Sequence, residues 1–289
     1  MFPAPDMPSF PEGQGMTAPG GLRFEDVTQD GHLLPIAIPP SLAPLWRNVL
    51  APHPGQRNAM KAGVIPILTR LTLLSSDQAI RPDKPTEIRA GFVLARDPAV
   101  ERIYMQVWSQ VHAIGGRLAR NATDGELALA GSLFAEHVFT RPLAPPDQRR
   151  VTELDVEGYP RLPERLYSAP AATTAQDLPD GASWIDELAP DATEHVFSLD
   201  HTDSNQHVNS LVYIRMFLDA VNRRLAALGK PLKLRSRAVD IAYRKPSFYG
   251  ERARAHLRMF DLGGSPGAAG FVAGSDGKPR CYVRAALVS

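Results

Sequence analysis

The 289-residue sequence has one cysteine, almost no net charge and no long hydrophobic run. A single cysteine, Cys281, excludes an internal disulfide framework and every zinc or iron–sulfur site that needs several thiolates. Its 32 basic residues balance 31 acidic ones and form no basic block, which argues against a nucleic-acid or anionic-membrane binder. No segment approaches the roughly 18 apolar residues of a membrane span, and the first residues do not resemble a signal peptide. The sequence therefore predicts a cytoplasmic globular protein.

The distribution of proline indicates how the chain is divided. Residues 1–21 hold five prolines and four glycines with hardly any apolar side chains, a composition that predicts a disordered tail. Eight prolines from Pro142 to Pro190 mark residues 143–190 as a linker, parts of which are apolar enough to lie against a domain. We therefore predict an N-terminal domain over residues 22–142 and a C-terminal domain over residues 191–289.

Alternation of apolar and polar side chains predicts strands in both halves. The predicted strands cover residues 64–74, 87–94, 103–111 and 127–139 in the first half, and 194–199, 232–243, 252–260, 268–272 and 280–288 in the second. One helix over residues 41–50 is expected in the first half, opened by two prolines. One helix against four or five antiparallel strands in each half is an α+β pattern.

The clearest predicted element is a helix over residues 208–228. Six apolar side chains recur at helical spacing: Ile214, Phe217, Leu218, Val221, Leu225 and Leu228. Gly229, followed by Lys-Pro, is a typical helix end. Further apolar residues widen the stripe over the first turns, so we expect a sheet to wrap around this helix.

A weak internal repeat suggests that the two halves are duplicates. Pro82 and Pro246 each lie four residues before a Thr-Glu or Gly-Glu pair that opens a strand. His32 also precedes the first predicted helix much as His207 precedes the second. Because the alignment needs an insertion in the first half, the duplication rests more on the matching order of elements.

Polar side chains crowd the ten residues before the long helix. Helix capping explains one or two of them, but four fall at every second position, which in an extended segment would place them on one side: Asp203, Asn205, His207 and Asn209. A helix start offers free N–H donors to an oxyanion, an imidazole can act as a general base, and a carboxylate and an amide can orient the reactants. The cluster therefore fits two interpretations: capping of the helix, and hydrolysis of an activated acyl group.

The stretch that runs from Asp203 through Asn205, His207 and Asn209 to Tyr213 resembles the D-x-N-x-H-V-N-x-x-x-Y signature of hot-dog fold acyl-ACP thioesterases. This resemblance implies two tandem hot-dog domains, each an antiparallel sheet wrapped around one long helix. It also implies a catalytic set and a substrate-binding set: Asp203, Asn205 and His207 in the first, and Val208, Asn209 and Tyr213 in the second. The backbone at the helix start would hold the thioester carbonyl, and an apolar tunnel lined by the first half would take the acyl chain.

The function implied by the resemblance is release of a fatty acid from acyl-ACP or acyl-CoA, without a metal or another cofactor. Plant-type members carry an acidic residue before the Tyr-Arg of the strand that follows the helix, whereas this chain has Ala242. Asp240 lies two residues back on the same strand face and can replace that group only after a shift of about 6–7 Å. A non-hydrolytic acyl-carrier or acyl-CoA binding protein and a hot-dog thioester hydratase or dehydratase therefore remain alternatives. A monomer with an internal pseudo-dimer and a homodimer both remain open.

Other candidate sites are weaker. Asp30-Gly31-His32 is the counterpart of the polar cluster in the first half, but a plain turn before a helix explains it better than a second active site. His201 and His207 lack a third metal ligand at suitable spacing. Cys281 lies in an apolar run that favours a half-buried strand thiol over a nucleophile. The sequence has no G-x-G-x-x-G, phosphate-loop or G-x-S-x-G motif.

Overall fold

The computed structural model describes residues 2, 4–118 and 124–289. In these residues twelve strands are defined: β1 (Gly15–Gly20), β2 (Ile65–Ser75), β3 (Thr86–Asp97), β4 (Arg102–Ile114), β5 (Leu127–Thr140), β6 (Ser183–Trp184), β7 (Ala189–Pro190), β8 (His195–Val196), β9 (Arg235–Tyr243), β10 (Arg252–Leu262), β11 (Ser265–Gly274) and β12 (Pro279–Val288). They form one large antiparallel sheet in the order β1-β3-β4-β5-β2-β9-β12-β11-β10-β6, and β7 and β8 also pair with β10.

The eight long strands, β2 to β5 and β9 to β12, lie where the apolar alternation predicted them. The strand predicted over residues 194–199 is shorter, because only the two residues of β8 pair with β10. Strands β1, β6 and β7 were not predicted. Together with β8, these three short strands pair with β3 or β10 near the two ends of the sheet, which leaves few unpaired backbone groups at its edges.

The sheet is continuous across the two halves of the sequence. Strands β1 to β5 form one part and β6 to β12 form the other, and the two parts meet where β2 pairs with β9. This pairing runs from Arg70 opposite Ala242 to Leu74 opposite Ala238. The halves therefore share backbone hydrogen bonds as well as side-chain contacts.

The long helix confirms the prediction for residues 208–228. Helix α3 (Ser210–Ala227) follows α1 (Ala43–Leu45) and α2 (Pro54–Lys61) in the chain. At 1.5 Å per residue its length is about 27 Å. Gly229 follows it with a φ of 62°, a left-handed conformation that favours glycine and ends helices. None of the helices in the described residues is long and apolar enough to cross a membrane.

The helical segment of the first half is less regular than predicted. A 3-10 turn (Pro39–Leu42), α1 and a π-helical turn (Trp46–Leu50) follow one another without a break. This segment covers the predicted helix over residues 41–50. The sequence analysis missed α2, which begins with a proline at its first position and has His53 as its N-cap.

Helix α3 packs against one face of the sheet, called here the inner face. Its buried side chains join those of the strands in one hydrophobic core, which includes Tyr213, Ile214, Phe217, Val221 and Leu225 from the helix and Val239, Ile241, Leu257 and Val283 from the strands. The side chains between these strand positions lie on the opposite, outer face. The residues that precede α3 are thereby fixed at one end of the inner face.

The outer face is covered by the N-terminal segment, so the prediction of a disordered tail over residues 1–21 is wrong for the described part of that segment. Strand β1 pairs with β3 over its whole length. Phe2 is buried, the ring of Phe10 lies 6.2 Å from that of Trp108, and Trp108 Nε1 donates a hydrogen bond of 2.9 Å to the Pro5 carbonyl. A few aromatic contacts and one edge strand thus order a segment whose composition is typical of disorder.

The predicted linker, residues 143–190, contacts both faces of the sheet: Val151, Leu154 and Tyr159 join the inner core, and the later residues lie across the outer face. The Tyr167 hydroxyl donates to Glu136 Oε2 at 2.6 Å, and the ring of Trp184 packs on that of Phe260 at 6.2 Å. Between these contacts a 3-10 turn (Ala172–Gln176) lies against β9, β11 and β12. The segment therefore contacts both parts of the sheet.

A buried ionic cluster lies under this segment on the outer face. Asp240 is completely buried and binds two arginines: Arg70 donates from Nε at 2.9 Å and from Nη2 at 2.6 Å, and Arg284 donates from Nε at 3.0 Å. Thr72 adds a bond of 3.1 Å, and Arg70 Nη1 reaches Thr174 in the linker at 2.9 Å. The cluster joins β2, β9, β12 and the linker.

Candidate functional site

The polar cluster predicted from sequence forms a closed loop before α3, not the extended segment that was expected. Thr202 and Val208 form a β-bridge across the loop. The Asp203 N–H donates to the His207 carbonyl at 3.1 Å, and the Gln206 N–H donates to the Asp203 carbonyl at 2.9 Å. The alternate residues are therefore brought together by chain reversal.

Asp203 organises this loop through both carboxylate oxygens. Oδ1 accepts the Asn205 N–H at 2.9 Å, and Oδ2 accepts Asn209 Nδ2 at 3.1 Å. Asn209 is in turn the N-cap of α3, because its Oδ1 accepts the Leu211 N–H at 2.9 Å. One chain of hydrogen bonds thus links the predicted catalytic carboxylate to the first turn of the helix.

His207 is half-buried, and one ring nitrogen has a defined partner. Its Nδ1 lies 3.1 Å from the Val208 carbonyl oxygen, which favours the tautomer with hydrogen on Nδ1 and a lone pair on Nε2. Asn205 is exposed beside it. The structure therefore places the three predicted catalytic residues in one loop, where Asp203 and Asn205 are hydrogen-bonded and His207 makes no side-chain bond to either of them.

Beneath the loop, buried groups hold the start of α3. Ser247 is fully buried, its carbonyl accepts the Val208 N–H at 2.8 Å, and its N–H donates to the Tyr213 hydroxyl at 2.9 Å. The Tyr243 hydroxyl donates to the Ser210 carbonyl at 3.1 Å, and burial raises the pKa of Tyr213 and of Tyr243. No sequence motif marks Ser247, so its place beneath the loop was not predicted.

The predicted substrate-binding residues all make internal contacts here. Val208 is buried in the core, Asn209 caps the helix and Tyr213 binds Ser247. The first backbone N–H groups of α3 differ in what they bind: Leu211 donates to Asn209 Oδ1 and Val212 to the Asn209 carbonyl. In the described part of the chain, the Ser210 N–H has no acceptor. One donor at the positive end of the helix dipole is therefore free for an oxyanion.

The loop also contains a strained residue. Gln206 has a φ of 65°, in the left-handed region that favours glycine. Such a conformation costs of order 1–3 kcal/mol for a non-glycine residue, and strain of this kind clusters at functional sites. In the loop of the first half, Gly31 occupies the matching position with a φ of 85°.

The match between the two loops extends to their backbone hydrogen bonds. Thr28 N–H donates to the His32 carbonyl at 2.8 Å and Gly31 N–H donates to the Thr28 carbonyl at 2.9 Å, as Asp203, Gln206 and His207 do in the second loop. The bridge between Val27 and Leu33 repeats the one that closes the second loop. His32 thus occupies the place of His207, and Thr28 the place of Asp203.

The structure places neither Ala242 nor Asp240 in the candidate site. Ala242 and Asp240 lie on the outer face of β9, whereas Tyr243 contacts α3 on the inner side. An acidic side chain at position 242 would therefore point away from His207. The proposed substitution by Asp240 is also wrong, because its carboxylate is bound to Arg70 and Arg284 on the outer face.

Two cavities lie away from the loop. One of about 690 Å³ is on the outer face between the N-terminal segment and the linker, and another of about 240 Å³ adjoins His32. Neither is lined by residues 203–209. The acyl tunnel therefore remains a prediction. Among the described residues, no group of three side chains is arranged to hold a metal ion.

Replacing Asn209 by alanine should lower the free energy of unfolding by about 1 kcal/mol, since the helix loses its N-cap. Activity should fall as well, because Asp203 loses a partner that fixes its position. Denaturant titration and kinetics of the same sample measure both effects. Asn209→Asp keeps the capping oxygen but lacks the Nδ2 donor to Asp203, so it is the matched variant for the cap alone. Equal stability of the alanine variant and wild type would contradict the capping role.

Cys281 should not react in the native protein. It is fully buried on β12, and burial raises the pKa of its thiol. Because the thiolate is the reactive form, a thiol-reactive dye at about pH 8 should label one equivalent only after denaturant is added. Glutathione in the same denaturant is the control, and rapid labelling of the folded protein would show that β12 opens.

Comparison with known proteins finds similar folds at low identity. No family model matches the sequence, and no curated protein matches it. An acyl-ACP thioesterase from Bacteroides thetaiotaomicron is 14% identical with a TM-score of 0.62, over 96% of this chain and 99% of that one. An oleoyl thioesterase from Lactobacillus plantarum is 15% identical with a TM-score of 0.62, over 95% of both chains. The 12:0-ACP thioesterase from Umbellularia californica is 13% identical with a TM-score of 0.60, over 95% and 97%.

These similarities cover nearly the whole of each chain. The large antiparallel sheet with few helices is thus the hot-dog fold of the acyl-ACP thioesterases, as the sequence motif implied.

Proposed function

We propose that the chain is a thioester hydrolase that releases an acyl group, such as a fatty acid, from acyl-ACP or acyl-CoA. The observation that carries this proposal is His207, half-buried with a free Nε2, in a strained loop next to the unbonded Ser210 N–H. A base and an oxyanion donor at one helix start are what acyl transfer to water requires. The similarity in fold to acyl-ACP thioesterases supports the same reaction.

In the proposed reaction, His207 Nε2 removes a proton from water as the water oxygen attacks the thioester carbonyl. The carbonyl oxygen becomes an oxyanion that accepts a hydrogen bond from the Ser210 N–H at the positive end of α3. Collapse of this intermediate breaks the carbon–sulfur bond, and the imidazolium returns its proton to the leaving thiolate. The products are a carboxylic acid and a free thiol.

The remaining predicted residues divide into two roles. Asn205 is exposed next to His207 and is the amide proposed to orient water or the substrate. Asp203 and Asn209 position the loop relative to α3 through their mutual hydrogen bond. Val208 and Tyr213 anchor the loop to the core, so we assign them a positioning role for the substrate, not direct contact.

We also propose that the sheet consists of two tandem hot-dog domains. The first covers residues 22–142 with the helical segment of α1, the second covers residues 191–289 with α3, and residues 143–190 connect them. The support is the pairing of β2 with β9 and the two loops with the same hydrogen bonds. In this arrangement the loop before α3 carries Asp203, Asn205, His207 and Asn209, whereas the matching loop of the first domain keeps only the histidine, His32.

Thiol release from saturated acyl-CoA and acyl-ACP substrates of increasing chain length tests the proposed function. Saturable release by wild-type protein, with a preferred chain length, is the expected result. Acyl ligands that bind without release would instead identify the non-hydrolytic alternative. Hydration of an enoyl thioester without hydrolysis would identify the hydratase alternative. A reaction without substrate measures any dye signal that comes from Cys281, and this background is subtracted.

A further inference from the structure

Ser210 is the first residue of α3 and follows the N-cap Asn209. Its carbonyl oxygen accepts a hydrogen bond of 3.1 Å from the Tyr243 hydroxyl, which ties the residue to β9. Its N–H and its hydroxyl have no hydrogen-bond partner within the described residues. The residue is half-buried, and its hydroxyl oxygen is not enclosed by protein. Ser210 is therefore held in place while two of its donors stay open to a ligand.

The two open donors of Ser210 lie on the same side of the residue. Side-chain bonds in a helix tilt toward its N-terminus, which is also the direction in which the first N–H groups point. Two of the three staggered rotamers of a serine place the hydroxyl oxygen gauche to its own nitrogen. Because the hydroxyl makes no other hydrogen bond in the described part of the chain, it is free to adopt either rotamer. The N–H and the hydroxyl can then both donate to one oxygen atom.

The backbone match between the two loops continues into the helical turns that follow them. Leu34 and Asn209 both precede a turn with extended backbone angles, φ −76° and ψ 134° for Leu34 and φ −60° and ψ 138° for Asn209. In each half, the N–H three residues further on donates to the carbonyl of this residue, at 2.9 Å in the first and 3.0 Å in the second. The residue after Leu34 is Pro35, which thus occupies the place of Ser210.

Pro35 supplies neither of the two donors. A proline has no backbone N–H, and its ring has no hydroxyl. The first loop therefore keeps a histidine, His32, in the place of His207, but has no donor at the start of its helical turn. The loop before α3 has both the histidine and the two donors of Ser210. This difference agrees with the proposal that hydrolysis takes place at the second loop.

We propose that Ser210 is a catalytic residue whose hydroxyl and N–H together bind the oxyanion of the tetrahedral intermediate. This inference rests on the proposed thioester hydrolysis and adds a side-chain donor to the one that the backbone supplies. The carbonyl oxygen gains negative charge as water attacks, and both hydrogen bonds strengthen with that charge. The hydroxyl keeps its proton throughout. When the carbon–sulfur bond breaks, the charge passes to the leaving sulfur and both hydrogen bonds weaken.

Three variants at this position separate the two donors. Ser210→Ala removes the hydroxyl and keeps the N–H, Ser210→Pro removes both donors, and Ser210→Thr keeps both. Proline should not disturb the fold, because the first helical position tolerates it and Asn209 already has the extended backbone that a following proline requires. Pro35 occupies the matching position in the first half. Circular dichroism and urea denaturation should show that all three variants keep the helix content and the transition of wild type.

Kinetics of thiol release test the role of each donor. In Ser210→Ala, kcat should fall about tenfold to a hundredfold, the usual effect of losing one hydrogen bond to a charged group. Ser210→Pro should lose a further factor of about ten or more, while Ser210→Thr stays within about threefold of wild type. KM should change little, because these bonds strengthen only in the transition state. Wild-type kcat in Ser210→Ala overturns the proposal, and so does a burst of thiol release that this variant loses, since the hydroxyl would then be a nucleophile.

A ketone analogue of acyl-CoA, in which a CH₂ group replaces the thioester sulfur, gives a readout that does not need turnover. The infrared band of its carbonyl should move to lower wavenumber on binding to wild type, by less in Ser210→Ala and by least in Ser210→Pro. An unshifted band with wild type, or an equal shift in wild type and Ser210→Ala, overturns the proposal. His207→Ala should lose thiol release and keep the shift, so failure of the proposed hydrolysis and failure of this oxyanion site give different results.

Discussion

His207→Ala should lower kcat for acyl thioester hydrolysis by about 10²–10⁴-fold, the usual contribution of a general base. KM should change little, because the imidazole Nε2 is proposed to act on water and not to bind the acyl chain. The folded structure should persist, since the side chain makes a single hydrogen bond to the described residues, from Nδ1 to the adjacent Val208 carbonyl. Steady-state kinetics of thiol release, with circular dichroism of the same samples, measure both quantities.

Ser204→Ala is the matched control for this variant. Ser204 is exposed in the same loop, and its side chain makes no hydrogen bond within the described residues. It should keep wild-type kcat and stability. Turnover by His207→Ala within a factor of about three of wild type would reject His207 as the base, whatever the stability of the variant.

Asp240→Ala should lower the free energy of unfolding by about 3–5 kcal/mol, because it leaves two buried arginines without their counter-ion. Asp240 is completely buried, while Arg70 and Arg284 are 4% and 6% exposed. Both guanidinium groups are therefore largely shielded from solvent, and Arg70 also binds the linker through Thr174. Urea denaturation followed by fluorescence should show a lower transition midpoint at an unchanged slope.

Two further variants distinguish a loss of stability caused by the broken ion pairs from one that any substitution in this region would cause. Asp180→Asn removes an exposed carboxylate at the rim of the outer cavity and should change stability by less than about 0.5 kcal/mol. Replacing Arg70, Asp240 and Arg284 together by apolar residues of similar volume should recover most of the loss, since no unpaired charge then remains. Equal destabilisation by Asp240→Ala and the triple replacement would show that packing, not charge, is the cause.

Local sequence patterns predicted the elements that depend on local chemistry. Helix α3 follows from its apolar spacing and from Gly229, and the eight long strands follow from alternation. Alternation fixes which residues share a face, but not which of the two faces carries the helix. The resemblance to plant-type members placed Ala242 near the site, whereas in the structure it shares the outer face of β9 with Asp240.

The remaining features depend on contacts between distant segments. The order of the described residues of the N-terminal segment comes from Trp108 and β3, which the composition of the segment does not reveal. The closed form of the second loop comes from backbone bonds around Asp203 and from Ser247 beneath it. The motif identified Asp203, Asn205 and His207 as a group, but only the structure shows that Asp203 binds the helix cap and not the imidazole.

The linker has a mechanical consequence. It crosses the seam where β2 meets β9, and through Thr174 it is tied to Arg70 on one side while its 3-10 turn rests on β9, β11 and β12 on the other. Movement of the two halves about a hinge would have to break the hydrogen bonds between β2 and β9 and detach the linker from the outer face at the same time. The two halves should therefore move as one rigid body under force, and also after a single proteolytic cut within residues 143–190. Any opening that admits a substrate must come from the loops.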